Sequence, residues 1–215
     1  VISHPLVQYK LTHMRDKNTP SNVFRVLMHE VAMLMGYEVL SDLETSDIEI
    51  ETPHEKMKSP ALSGKKMCIV SILRSGNGFL DALLNLVPLA RVGHIGLYRD
   101  PDRLIPVEYY LKMPDDLHER QVLIVDPMLA TGKSAIAAID RVKSMDAAQV
   151  KFLCLVASPE GIEAVREEYP DLPIYTACVD REIDESGFIL PGIGDAGIEF
   201  TARNSKMQPR PSVMI

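Results

Sequence analysis

Along the middle of the chain an apolar, β-rich run, a short glycine-containing turn and an amphipathic helical pattern follow one another three times, which constrains the fold more than any other feature. Met67 to Leu73 leads to Phe79, Leu80, Leu83, Leu84 and Val87; Val122 to Val125 leads to Ile136, Ile139, Val142 and Met145; Phe152 to Val156 leads to Ile162 and Val165. Strand, crossover helix and strand in that order predict a parallel sheet covered by helices. The unbroken run Val122-Leu123-Ile124-Val125 suits a strand buried on both faces. Val92 to Tyr98 and Val107 to Lys112 read as two more strands separated by the polar stretch 99–103, a candidate flap hairpin. The expected class is α/β, a mainly parallel twisted sheet flanked by helices.

Outside the repeats the signals are local. Ser21 precedes a stripe of Phe24, Leu27, Val31 and Leu34, and the pattern ends near Gly36, which predicts an amphipathic helix capped by Ser21. Ile48 and Ile50 alternate with Asp47, Glu49 and Glu51, the period of a half-buried strand, and His54 to Ser63 reads as a loop. Phe188 to Gly197 holds four Gly or Pro residues in ten, suited to an irregular wall rather than a helix or strand.

Among 215 residues, 46% hydrophobic and 25% charged, 23 Lys and Arg stand against 30 Asp and Glu. The resulting charge of −7 argues against a nucleic acid or an anionic membrane as a partner, so any anion site must be local. No apolar run is long enough to span a bilayer, and the first residues do not form a secretion signal. Cysteines at 68, 154 and 178, an odd count in apolar stretches, predict buried free thiols in a reducing, cytoplasmic setting. One domain is expected over 1–203, followed by a flexible tail, 204–215, that contains Pro209 and Pro211.

Val125 to Ser134 lies between a buried strand and a helix, where open α/β sheets bind ligands and where the free N–H groups of a helix favour an anion. Gly132 permits close approach to a phosphate, and the hydroxyls of Thr131 and Ser134 can donate to it. Gly132-Lys133-Ser134 also matches the end of a nucleoside-triphosphate loop, but that motif needs Gly where this chain has Pro127, which lacks an N–H. Standing by itself, the decapeptide is equally compatible with a plain strand-to-helix turn. Arg74 follows the strand 67–73 and precedes Ser75-Gly76-Asn77-Gly78, a second candidate for the same sheet edge. Arg99, on a polar loop, is unremarkable by itself.

Asp126 to Ser134 closely resembles the phosphoribosyl pyrophosphate (PRPP) loop of the uracil phosphoribosyltransferases, in which Pro and Ala stand where other phosphoribosyltransferases carry acids. Further stretches resemble the family: Leu11 to Asp16, Ile72 to Gly76, Val92 to Asp100, Ala157 to Gly161 and Gly187 to Gly197. The resemblance implies a phosphoribosyltransferase-like fold and transfer of a phosphoribosyl group from PRPP to uracil, giving UMP and pyrophosphate. By it, Arg74, Arg99, Asp126, Pro127, Met128, Leu129, Ala130, Thr131, Gly132, Lys133, Ser134 and Asp195 bind PRPP. Ile189, Gly194, Asp195 and Ala196 bind uracil through backbone groups, and Asp126, Asp195 and Arg74 carry the catalytic roles. Mg²⁺ is implied as cofactor, held mainly by PRPP with no direct protein ligand set. GTP is implied as a candidate effector, and a homodimer or higher homo-oligomer as the assembly. The same fold used for another base, or as a nucleotide-sensing regulator, is the alternative.

Several positions depart from the family pattern: Ser75 stands for the usual Ala, Lys133 for the commoner Gly and Phe188 for the usual Tyr, and the segment after Gly197 is unlike the family's ending.

Overall fold

The computed structural model describes residues 1–63, 66–99 and 106–194, apart from the side chain of Arg99. In chain order the elements are α1 (Pro5–Arg15), α2 (Ser21–Val39), β1 (Thr45–Glu51), β2 (Lys56–Leu62), β3 (Lys66–Leu73), α3 (Asn77–Leu86), β4 (Arg91–Arg99) and β5 (Pro106–Lys112). They continue with β6 (Arg120–Val125), β7 (Met128–Leu129), α4 (Lys133–Lys143), β8 (Gln149–Ala157), α5 (Pro159–Glu168), β9 (Ile174–Val179), β10 (Glu182–Ile183) and β11 (Ile189–Leu190). The expected flap residues 100–103 and the expected tail 204–215 lie outside the described residues.

The three repeats become β3–α3, β6–α4 and β8–α5. The sheet runs β5-β4-β3-β6-β8, with β9 on the far edge of β8 and β7 continuing the β6 side. All pairings within it are parallel except β4 with β5, the predicted hairpin. Alternate side chains of each central strand enter two separate cores. Ile69, Leu123, Val125, Leu153 and Leu155 pack under α1, α2 and α3. Cys68, Val70, Val122, Ile124, Phe152 and Cys154 pack under α4 and the α5 residue Val165. This two-sided burial is why those strands are apolar throughout rather than alternating. Phe24, Phe79 and Phe152 are fully buried, and truncating any of them to Ala should cost about 3–5 kcal/mol.

Three local expectations are corrected. Ser21 is the first residue of α2 and Pro20 occupies the cap position; the helix also runs past Gly36 to Val39. The segment expected as a loop, 54–63, contains β2, which pairs along its whole length with β1. That pairing satisfies the backbone of β1, but no core layer covers it: every β1 residue is exposed, Ile48 at 48% and Ile50 at 38%. The period-2 pattern therefore marks a strand, but not a buried face. Helix α1 had no counterpart in the periodicity reading. His4 caps it by accepting from Leu6 N, and Val7, Leu11 and Met14 anchor it in the core.

Candidate active site

The carboxyl ends of β3, β6, β8 and β9 lie along one edge of the sheet, and each releases a chain segment with polar function. After β3 the peptide Leu73–Arg74 is cis, and the Arg74 side chain is exposed over a cavity of about 640 Å³. Arg74, Ser75, Asp126, Met128, Leu129, Ala130, Thr131, Gly132 and Ser134 line that cavity, joined on the hairpin side by Leu97, Tyr98 and Tyr109. Two loops read separately in the sequence thus meet across one space.

Asp126 is half-buried, and its carboxylate accepts a hydrogen bond from Ser75 Oγ at 2.8 Å. Burial pushes its pKa up to about 7, against the opposing effects of the Ser75 hydroxyl and the Met128 N–H. Ser75 had appeared only as a small departure from the family pattern. In the fold it contacts the Asp126 carboxylate, which lines the same cavity, a contact 51 positions apart that no local signal announces.

The loop 126–134 is held from behind. Asp126 N donates to Leu153 O, and Leu155 N and Val156 N both donate to Pro127 O, so the chain steps between β6 and β7 while staying bonded to β8. Pro127 is buried and serves this ladder rather than the cavity. Ser158 caps α5 by accepting from Gly161 N at 2.9 Å, donates its own Oγ–H to Ala130 O at 2.6 Å, and uses its N–H on Leu129 O. Gly161 lies so close that a Cβ there would stand 2.3 Å from Ala130 O and 2.6 Å from Leu129 O. The Ser-Pro-x-Gly sequence, a helix cap followed by Pro in the first turn, was the available signal for this clamp.

Gly132, with φ of 77°, turns the chain into α4, whose first helical bond runs from Ile136 N to Gly132 O. The first turn of an α-helix leaves backbone N–H groups without intrahelical acceptors, the kind of group that favours an anion. Lys133 opens the helix and is exposed, and the cavity lining passes it by. Changing Lys133 to Gly should leave most activity in place, with a higher PRPP requirement at most. Complete loss of activity in a PRPP titration would show the ammonium to be essential.

Ile189 and Gly194 lie elsewhere. Ile189 is buried in the core, so only its backbone is available to a ligand, and Gly194 lies four residues past the end of β11. Neither lines the cavity described above. Asp195 and Ala196 lie outside the described residues, as does the Arg99 side chain. The cysteines are free thiols; burial pushes those of Cys68 and Cys154 up to about 12, which leaves them protonated.

A sequence model of the family described as uracil phosphoribosyltransferase matches residues 1–198. The chain belongs to that family. The uracil phosphoribosyltransferase of Acidovorax ebreus (strain TPSY) is 58% identical over 197 residues, covering 92% of this chain and 94% of that protein. The uracil phosphoribosyltransferase of Legionella pneumophila strain Philadelphia is 59% identical, covering 92% of each. Among solved structures, the AQ2163 protein from Aquifex aeolicus superposes with a TM-score of 0.89 at 32% identity over 94% of this chain and 96% of that one. A purine phosphoribosyltransferase from Pyrococcus horikoshii, at 19% identity and a TM-score of 0.50 over 72% of this chain and 83% of that one, shares the fold. No helix among the described residues is long and apolar enough to cross a membrane.

Proposed function

We propose that this chain transfers the phosphoribosyl group of PRPP to uracil, forming UMP and releasing pyrophosphate. One observation supports the reading: in a chain of this family, Arg74, Asp126 and the start of α4 border a single cavity, so a cation, a carboxylate and a helix N-terminus share one space. In the reaction the bond from C1′ to pyrophosphate breaks, positive charge grows on the ribose and negative charge on the leaving group, and uracil N1 attacks C1′. The Arg74 guanidinium suits the leaving pyrophosphate, with Arg99 from the hairpin as its second cation. The N–H groups at the start of α4 and the hydroxyls of Thr131 and Ser134 hold the 5′-phosphate. Asp126 accepts from ribose hydroxyls. Backbone groups of Ile189, Gly194 and Ala196 match the edge of uracil, and Asp195 serves the PRPP side of that loop.

Mg²⁺ fits this donor set. Asp126 and the hydroxyls of Ser75, Thr131 and Ser134 are oxygen donors of the kind it takes, while no cluster of three or more His, Cys, Asp or Glu among the described residues forms a protein cage. Bound with the diphosphate, it supplies charge neutralisation to the leaving group. A homodimer is part of the proposal, because Ile48, Ile50, Met57 and Leu62 lie exposed on the β1–β2 hairpin. We further propose one catalytic domain in a cytoplasmic protein.

Incubating the purified protein with PRPP, Mg²⁺ and a panel of bases, with and without GTP, tests the reading. UMP from uracil is expected. A nucleotide formed from a different base and not from uracil, or no product from any base, overturns it.

A further inference from the structure

We infer that Arg15 and Asp180 are positioning residues for the base: together they fix the backbone of Gly192, and through it loop 189–194, so that base affinity depends on a pair that lines no part of the cavity at Arg74 and Asp126. Asp180 directly follows β9 and is buried at 8% exposure, and Arg15 is the last residue of α1. Arg15 Nη1 donates to Asp180 Oδ2 at 2.8 Å and to Gly192 O at 2.8 Å, while Nη2 donates to Asp180 Oδ1 at 2.6 Å and to Cys178 Sγ at 2.9 Å. Gly192 N donates in turn to Asp180 Oδ2 at 2.8 Å. Both backbone groups of Gly192 are therefore held by one ion pair, within the described residues 191–194, which form no helix or strand.

The pair rests on a rigid base. Asp180 N donates to Ala157 O, Gln8 Nε2 to Ala177 O at 2.8 Å and Ile2 N to Thr176 O at 2.8 Å, so α1 and β9 are fastened together beneath the loop. Cys178 Sγ lies 3.2 Å from Asp180 Oδ1 and donates to it; burial pushes this thiol up to about 12, which keeps its proton in place. Burial raises the Asp180 pKa, but Arg15, Cys178 and the Gly192 N–H outweigh it and hold the carboxyl below its ordinary value. Asp180 Oδ1 and Oδ2 each accept from two donors, a pattern that the amide of Asn cannot reproduce because one of its ends is itself a donor. Arg15 needs its planar fork, since the point charge of Lys, with three N–H donors, cannot serve these four acceptor atoms.

The inference rests on the proposed reading of residues 189–196 as the base wall. Initial rates measured against uracil and against PRPP for the wild type, Arg15→Lys, Asp180→Asn and Cys178→Ala test it, with circular dichroism to confirm folding. The uracil KM should rise by at least ~10-fold in Arg15→Lys and Asp180→Asn, while the PRPP KM stays within about 2-fold, because the loss of charged hydrogen bonds falls on the loop and not on the phosphate cradle. Cys178→Ala, which removes the two sulfur contacts and leaves the hydrogen bonds among Arg15, Asp180 and Gly192 in place, should shift the uracil KM the same way by roughly 3-fold, and it carries the test if Asp180→Asn does not fold. A folded Arg15→Lys or Cys178→Ala protein whose uracil and PRPP KM values rise together, or do not change, overturns the inference. A wild type that forms no UMP overturns the proposed function instead.

Discussion

Replacing Asp126 by Asn is expected to lower turnover by at least ~10-fold, the equivalent of losing a charged contact worth about 1.5–3 kcal/mol. The pH dependence makes the test sharper. Because burial raises the Asp126 pKa to about 7, the carboxylate that ribose hydroxyls require forms only as the pH passes through that value. In the wild type kcat/KM for PRPP, which reports the free enzyme, should therefore climb through about pH 7 and level above it. Ser75→Ala removes a donor that favours the ionised form, so the same climb should move to higher pH. The Asn variant should lose this limb altogether. Stability should respond in the opposite sense. A carboxyl whose folded pKa is raised contributes stability below its unfolded pKa, and that contribution disappears as the pH rises through about 7. The melting temperature of Asp126→Asn relative to wild type should thus improve between mildly acidic and mildly basic buffer. A correctly folded Asp126→Asn enzyme with near-wild-type turnover would remove Asp126 from the site.

Gly161→Ala should damage both stability and PRPP binding, although Gly161 lies behind the loop and lines none of the cavity. The added methyl would stand 2.3 Å from Ala130 O and 2.6 Å from Leu129 O, and both are backbone atoms that cannot rotate aside. Either the start of α5 or the phosphate loop must move, which breaks the bonds of Ser158 to Ala130 O and Leu129 O. Overpacking of this kind costs about 1–3 kcal/mol or somewhat more. For a chain of this size the upper end corresponds to a fall in Tm of roughly 6–12 °C. Displacement of the loop should lower kcat/KM for PRPP by at least ~10-fold, since positioning errors of ångström size are costly in a pre-organised site. Ser158→Ala, which removes the cap but adds no bulk, should cost only about 1 kcal/mol. Scanning calorimetry together with a PRPP titration checks both variants. An unchanged PRPP dependence in Gly161→Ala would mean that the loop does not need this support.

The repeated strand-turn-helix pattern sufficed to place β3, β6 and β8, their following helices and the antiparallel hairpin β4–β5, because residues buried on two faces must be apolar at every position. The loop 126–134 and Arg74 were legible for a related reason: a glycine-bearing break between strand and helix is local, and such breaks collect at one sheet edge. The exposure of β1 was not legible, since alternation reports a strand's period and not whether a second layer exists to cover it. Nor was the meeting of Ser75 with Asp126, or of Arg15 with Asp180 and Gly192. These partners lie 51, 165 and 177 positions apart, and Ser, Arg and Asp carry no mark of which distant group will satisfy them. The sequence by itself thus determined the sheet, its helices and the break between strand and helix at 126–134, where burial and turn chemistry act within a few residues. Only the tertiary structure decided which polar groups pair across the sheet edge, because that pairing depends on where the finished strands set their ends.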